Sequence, residues 1–356
     1  MPQDSFAVPY RRLIVLGMLL AALAGASNAS SFRVTGESFV HKDWELACDN
    51  TRTCRAAGYQ AQEEPGAVSV LLTRRAGAGA AVDARVQLGL YEEGPLPKSL
   101  ALRIDGHDLG ALRYAPEEGL AELSATQVDS LLHALLRESE IRFVGDEGRP
   151  HWFVSDQGAV AVLLKMDEFQ GRLDTPGALV RRGVEDESKV LPPISAPLVR
   201  IPPIRPPEPR DARIAIDPQL RSALLAEVPE GQECMGLMPG EDEAPVEVSR
   251  LDDHTLIASV ICWRGAYNAG AGHWLIKERA PYAPRLVTMD GNYLENGLIE
   301  ASQKGRGVGD CVWLATWAWN GDSFVKAAES TTGMCRGVAP GGAWSLPTRV
   351  SKIVRD

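Results

Sequence analysis

The sequence predicts an α+β protein that is mainly β, built from two halves on either side of a proline-rich linker. Strand-like runs dominate both halves, while helical patterns are few, and eight prolines crowd residues 190–212. We expect an N-terminal β-sandwich-like sheet carrying a few helices, followed by a C-terminal antiparallel β meander. The predicted organisation is a signal peptide at 1–29, a β-rich domain at 30–189, the linker at 190–212 and a β domain at 213–356.

The first 29 residues have the pattern of an export signal. Arg11 and Arg12 precede an apolar run at residues 13–24, and small residues then lead to Ala29, after which we expect cleavage. The alternative is an uncleaved anchor, but the run is short for a membrane span of ~20 residues. The sequence therefore predicts a periplasmic or secreted protein with no membrane span after cleavage.

The composition and charge of the chain limit the classes of partner that it is expected to bind. The 356-residue chain is 45% hydrophobic and has a formal net charge of −10, which the loss of the leader makes one unit more negative. A packed core is expected at this composition. Because an acidic surface repels phosphate backbones, nucleic acid is an improbable partner, and anionic membrane surfaces are disfavoured for the same reason.

Six cysteines predict three disulfides in an exported chain. Two of them precede the linker and four follow it. Pairing within each half gives Cys48–Cys54, whereas the later four cysteines allow three pairings, of which we favour Cys234–Cys262 with Cys311–Cys335. A zinc site or a redox-active pair would need closely spaced C-x-x-C cysteines, which the sequence lacks.

The first half combines strands with helices. Strand patterns lie at residues 68–73, 82–90, 100–104, 141–144 and 151–154. Ser124 and Gln127 form a capping box that opens an amphipathic helix, and a second helix is expected near residues 157–170. A short third helix is expected from Thr175-Pro176 to Gly183, because proline favours the first position of a helix and glycine its end.

The sequence of the second half predicts one helix followed by a series of strands. Asp217-Pro218 caps a helix whose Leu220 and Leu224 face inward. The predicted strands lie at residues 255–263, 273–277, 285–289, 297–302, 311–319 and 324–329. Asn320-Gly321 between the last two is the strongest hairpin signal in the chain.

The linker has three interpretations. Its prolines favour polyproline II, which makes a semi-rigid spacer between two halves. It alternatively serves as a ligand for a proline-reading domain, or packs along the surface of both halves.

No familiar catalytic or metal motif stands out. The sequence has no G-x-S-x-G nucleophile elbow and no H-E-x-x-H, and its six histidines are scattered. We therefore predict no metal site and no cofactor. The glycine-rich residues 305–310 suggest a phosphate loop, but a strand rather than a helix follows them. We favour a structural role for this loop beside Cys311.

Three tryptophans form the one candidate binding feature. Trp313, Trp317 and Trp319 alternate along one predicted strand, so they point to the same face unless a bulge intervenes. We favour core packing for them. The alternative is an aromatic platform for a sugar ring or a peptide, which requires exposed rings.

Several stretches resemble a known family. They include Asp-Trp-Glu-Leu-Ala-Cys at the start of residues 43–56, Lys-Met-Asp-Glu at 165–168 with 170–172 and 178–180, Lys-Gly-Arg-Gly-Val-Gly-Asp-Cys at 304–311, Trp-Ala-Trp-Asn-Gly at 317–321, and Met-Cys-Arg-Gly at 334–337. In this order they resemble the exported bacterial family called domain of unknown function 1176. The tryptophan-to-cysteine opening also weakly resembles invasion-associated locus B proteins. The resemblance implies a periplasmic protein of Gram-negative bacteria and no established activity.

These observations favour a non-enzymatic binding or interaction role in the cell envelope, with an envelope protein or a glycan as partner. One alternative is a hydrolase or glycan-modifying enzyme, which a Ser–His contact or two coupled carboxylates would favour. Another is a periplasmic inhibitor of a hydrolase. A flat exposed aromatic patch would favour binding.

Overall fold

The fold is mainly β with a few helices, which confirms the predicted class. The computed structural model describes residues 34–91, 95–146 and 151–356. The predicted signal peptide lies outside the described residues. Residues 34–356 form one compact unit.

The strands of the first half are β1 (Glu37–His41), β2 (Trp44–Cys48), β3 (Cys54–Tyr59), β4 (Val68–Arg74), β5 (Val82–Leu88), β6 (Ala101–Ile104), β7 (His107–Ala111), β8 (Arg113–Ala115), β9 (Leu120–Glu122), β10 (Ile141–Val144) and β11 (His151–Val154). They form two antiparallel sheets, ordered β1-β2-β3-β4-β5-β9-β8 and β11-β10-β6-β7. We call these the first and second sheets.

The strands of the second half are β12 (Leu198–Ile201), β13 (Glu247–Arg250), β14 (Thr255–Arg264), β15 (Ala269–Lys277), β16 (Arg285–Gly291), β17 (Tyr293–Glu295), β18 (Leu298–Lys304), β19 (Val312–Trp319), β20 (Phe324–Thr331), β21 (Leu346–Arg349) and β22 (Lys352–Arg355). Strands β13 to β16 form the third sheet and β17 to β21 the fourth, each in sequential order as a meander requires. Strand β12, which comes from the linker, pairs in parallel with β22.

Four helices complete the described part of the chain: α1 (Ala125–Ala134), α2 (Ala159–Phe169), α3 (Pro209–Ala215) and α4 (Pro218–Ala226), with 3-10 turns at Glu187–Lys189 and Met235–Leu237. Helix α1 begins at the predicted Ser124 capping box, and Asp217 caps α4 as predicted. Each of these four helices lacks the length and hydrophobicity needed to cross a membrane.

The prediction of a short helix from Thr175 to Gly183 is wrong, because this segment forms turns. The buried carboxylate of Asp167 accepts the backbone N–H groups of Leu179 and Val180. Arg74 donates to the carbonyl oxygen of Gly177. These side chains capture backbone groups that a helix would bond internally, and turns are the result.

Each half has its own core. In the first half, α1, α2 and the two sheets enclose apolar side chains that include Trp44, Leu72 and Phe143. In the second half, the third and fourth sheets share a core, and α3 and α4 cover the other face of the third sheet. Burial of these apolar surfaces is the main stabilising term of the fold.

The linker packs along the surface of both halves, as one of its three interpretations predicted. Arg52 donates to the carbonyl oxygen of Pro192, and Arg205 donates its backbone N–H to Leu251 of the second half. Residues 198–201 lack proline, so this stretch offers the backbone donors that a strand needs and becomes β12.

Candidate functional site

The structure joins the six cysteines as Cys48–Cys54, Cys234–Cys262 and Cys311–Cys335, the pairing favoured from the sequence. Cys48–Cys54 links the neighbouring strands β2 and β3. Cys311–Cys335 ties the start of β19 to a segment that reaches the first half. These bonds are structural, so their sulfurs are not available as thiolates.

The three predicted tryptophans lie in the core of the second half rather than on a platform. Trp317 is 7% exposed and Trp319 is 1% exposed, and half-buried Trp313 packs against the same core. A register shift between Thr316 and Trp317 interrupts pairing with β20, yet all three rings stay on one side of β19. Because the rings are covered by protein, they do not offer a flat surface to a ligand.

A segment of the second half instead covers the outer face of the first sheet. We call residues 332–346 the docking segment. Its Trp344 ring packs against the first sheet, and the indole Nε1 donates to the Ser69 hydroxyl at 2.7 Å. Val338 and Leu346 pack on the same face. The two halves therefore share an apolar contact.

Buried polar groups fix the docking segment in place. Glu45 Oε1 accepts from the Tyr59 hydroxyl and from the Met334 backbone N–H, both at 2.7 Å. Burial raises the pKa of the Glu45 carboxyl, although both hydrogen bonds oppose that shift. Arg336 of the docking segment forms an ion pair with Asp43 at 2.8 Å.

The glycine-rich loop lies beside this junction. We call residues 304–310 the glycine loop. Arg306 donates two hydrogen bonds to the fully buried carboxylate of Asp310, at 2.6 and 2.5 Å, and the Gly337 backbone N–H donates a third at 2.6 Å. Burial alone would raise the pKa of Asp310, but these bonds outweigh it and hold the pKa below its usual value. The loop is thus rigidly attached to the docking segment.

Two exposed tyrosines flank the glycine loop. Tyr91 donates its hydroxyl to the Val308 carbonyl oxygen at 3.3 Å, and a side chain at Gly307 would contact the ring of Tyr267. Tyr91 is 45% exposed, Tyr267 is 48% exposed and Val308 is 65% exposed. Asn268 exchanges two hydrogen bonds with the Lys304 backbone, so the hairpin that carries Tyr267 is fixed to the loop. We call the glycine loop together with Tyr91 and Tyr267 the loop surface.

Three of the five family-like stretches meet at this place. Asp43 and Glu45 belong to the first stretch, Arg306 and Asp310 to the glycine loop, and Arg336 to the last. Stretches almost 300 residues apart in sequence are therefore joined by direct bonds. Their buried side chains build the junction, and the loop surface is its exposed side.

The sequence analysis did not single out Tyr91 or Tyr267. The sequence did contain a local indication that these side chains are exposed. Both residues lie shortly after a glycine and between predicted strands, where side chains are commonly exposed. That signal alone could not show that the two rings flank one loop.

The glycine loop does not form a phosphate cradle. Gly305 and Gly309 already donate their backbone N–H groups to Cys311 and Arg306, and β19 follows the loop where a phosphate loop would have a helix. Asp310, Cys311 and Cys335 bring potential metal ligands close together, but both sulfurs belong to a disulfide. The cluster therefore offers no thiolate to an ion.

One Ser–His contact exists within the second half. Ser259 Oγ lies 2.8 Å from His273 Nδ1, and His273 is 2% exposed. The Nε2 atom of His273 has no hydrogen-bond partner among the described residues and packs against Gly291. Burial lowers the pKa of His273 to about 4, which keeps the ring neutral. In a catalytic triad a carboxylate orients the ring and the serine is open to substrate, and here the histidine is enclosed between two sheets.

Two cavities of ligand size are lined in part by charged groups that bond to neighbouring residues. One, of about 550 Å³, lies between the end of α1 and the start of α2, where Asp156 accepts from the Ser139 backbone and Arg137 pairs with Asp105. The other, of about 400 Å³, lies beneath the linker, where Arg205 pairs with Asp253 and buried Arg250 is held by carboxylates. These four charged side chains are therefore bonded within the protein and are not left free for a ligand.

Comparison with known proteins gives a family without an assigned activity. The family model described as "Protein of unknown function (DUF1176)" matches residues 38–351. The uncharacterised protein YpfG of Escherichia coli is 24% identical over 325 residues, covering 82% of this chain and 87% of YpfG. No solved structure matches the chain. These comparisons do not support the weaker resemblance to invasion-associated locus B proteins.

Proposed function

The chain belongs to the DUF1176 family of proteins of unknown function, and we propose that it is an exported, disulfide-stabilised protein with a non-enzymatic binding role in the cell envelope. We propose the loop surface as the binding site and a glycan or an envelope protein as the partner. The leader sequence and the even number of cysteines favour an oxidising compartment, the periplasm or the exterior.

The observation that carries this proposal is the pair of exposed tyrosines beside a rigid loop. Tyrosine presents a flat apolar ring with a polar end, and such side chains are enriched where proteins bind partners. The Tyr91 hydroxyl bonds the Val308 carbonyl oxygen, and Asn268 fixes the hairpin that carries Tyr267 to the glycine loop. Little conformational entropy is therefore lost when a ligand arrives. This rigidity supports a recognition role for the loop surface.

The test is binding by the mature, oxidised protein, residues 30–356. We expect it to co-sediment with purified peptidoglycan or to capture a component of periplasmic extract. Replacing both rings, Tyr91→Ala with Tyr267→Ala, should weaken that binding by at least tenfold, because stacked aromatic contacts are lost.

Tyr293→Ala is the matched control. Tyr293 is 71% exposed but belongs to β17, outside the loop surface. Binding that survives the double replacement, or falls equally in the control, would contradict the proposed site. No capture from either material would contradict the proposed function.

A hydrolase is the second candidate, favoured by the Ser259–His273 contact alone. It is less well supported because His273 is enclosed and its Nε2 atom lacks the carboxylate partner of a triad. Release of soluble fragments from peptidoglycan by the wild type, abolished by Ser259→Ala in a folded protein, would establish this candidate instead.

A further inference from the structure

We propose that the ligand of the loop surface is an acidic sugar, a saccharide ring that carries a carboxylate bound by Arg306. This inference rests on the proposed function and specifies its partner. It follows from three features of the loop surface: an oriented guanidinium, two neighbouring aromatic rings and exposed positive charges.

Arg306 is oriented for anion recognition. Its Nε and one terminal nitrogen, Nη2, bond Asp310, whose carboxylate is fully buried and also accepts from Gly337. The side chain of Arg306 remains 47% exposed, and its Nη1 atom has no partner among the described residues. A guanidinium fixed from behind by a buried carboxylate loses little freedom when its outer N–H groups bind a second, planar carboxylate.

The surroundings suit a sugar ring. Tyr91 bonds the loop at Val308, and the ring of Tyr267 lies beside Gly307. Their half-exposed rings offer flat faces for the C–H groups of a saccharide. Gly307 carries no side chain, and a Cβ there would meet only the ring of Tyr267, at 3.7 Å. A ligand can therefore approach the loop backbone at this residue.

The local charge also favours an anion. The charged residues of the loop surface are Lys304, Arg306 and Asp310, and the Asp310 charge is buried and paired with Arg306. Among the described residues of the loop surface, the exposed charges are therefore the positive ones of Lys304 and Arg306, although the formal net charge of the chain is −10. Exposed cationic side chains attract an acidic ligand even where the net charge of the chain repels it.

The experiment compares two sugars that differ in one carboxylate. The mature, oxidised protein is titrated by calorimetry with N-acetylmuramic acid, which carries a lactyl carboxylate, and with N-acetylglucosamine, which is the neutral parent ring. We expect at least tenfold tighter binding of the acid at low ionic strength, and a reduced preference at high salt because exposed charges are screened.

Paired variants isolate the guanidinium. Arg306→Gln alone leaves the buried Asp310 unpaired and can disturb the loop, so it is combined with Asp310→Asn, which still accepts from Gly337. This double variant should bind both sugars equally, and Lys304→Gln should weaken the preference for the acid. Arg213→Gln, an exposed arginine on α3, is the control and should leave the preference unchanged.

The outcomes separate this inference from the proposed function. Equal affinity for the two sugars, or a preference that survives the double variant, would overturn the acidic-sugar inference while the binding role stands. Binding of neither sugar would overturn it as well, and co-sedimentation with peptidoglycan would then decide whether the proposed function survives.

Discussion

At the scale of single residues, the second half contains a histidine whose protonation opposes folding. His273 lies on β15 between the third and fourth sheets, and the Ser259 hydroxyl is the one hydrogen-bonding partner of its ring among the described residues. Burial disfavours the charged imidazolium and lowers the pKa of His273 from its ordinary value of 6.5 to about 4. The unfolded chain therefore binds a proton at a higher pH than the folded protein does.

This difference in proton binding makes the folded protein less stable as the pH falls. The contribution of His273 to stability is fully present above about pH 6.5 and is lost as the pH falls towards about 4. We expect this residue to reduce the free energy of unfolding by ~2 kcal/mol between about pH 7.5 and pH 5.

Urea unfolding of the wild type and of His273→Gln at the two pH values measures this effect. Glutamine does not titrate, so the variant should lose less stability than the wild type on acidification, whatever its absolute stability. Equal losses in the two proteins would show that His273 already binds its proton in the folded state, or that burial does not perturb it.

The roles of several residues in turns and helix caps could be predicted from the sequence, because they depend on neighbouring residues alone. The Asn320-Gly321 signal places the turn between β19 and β20, and Ser124 and Asp217 cap α1 and α4 as expected. Residues three or fewer positions apart determine these features. Trp317 and Trp319 show the limit of such patterns: alternation placed them on one face, while their burial depends on a sheet far along the chain.

At the scale of elements, the start of α2 depends on a glycine rather than on a capping side chain. Gly158 adopts φ +101° at the N-cap, and a Cβ there would overlap the carbonyl oxygen of His41. The glycine is therefore required twice, for its left-handed conformation and for the close approach of β1.

Replacing Gly158 and Gly106 by alanine separates these two requirements. Gly106 also has a positive φ of +79°, in the turn between β6 and β7, but a Cβ there meets no atom within 4 Å. Gly106→Ala should cost ~1–2 kcal/mol from backbone strain alone. Gly158→Ala should cost at least ~2 kcal/mol more, because the backbone of β1 must move. Equal costs in urea unfolding would show that the contact with β1 is easily relieved.

The docking segment is the element that sequence patterns could not place. The Trp344–Ser69 hydrogen bond spans 275 positions, and no local signal indicates which sheet Trp344 will cover. The loop surface was missed for the same reason, since Tyr91 meets the glycine loop across the two halves and Tyr267 meets it from the third sheet. Non-local contacts are specified by the summed fit of surfaces, which a single sequence does not display.

At the scale of the whole molecule, the contact between the docking segment and the first sheet links the unfolding of one half to that of the other. Ala57, Tyr59 and Leu71 present an apolar face of the first sheet that Val338 and Trp344 cover. If the halves separated, this face would be exposed to water, and the buried Glu45 would lose its bond from Met334. Separation is therefore costly, which favours joint unfolding of the halves.

We accordingly expect the mature protein to unfold in one cooperative transition. Native-state hydrogen exchange should then give the same opening free energy for amides of β3 and β4 in the first half and of β19 and β20 in the second. Trp344→Ala removes the largest side chain of the contact, 8% exposed, and should lower the stability by ~3–5 kcal/mol. With that contact weakened, the two groups of amides should open with different free energies. Two separate openings already in the wild type would instead establish the halves as independent domains, and would mean that the docking segment releases before either core unfolds.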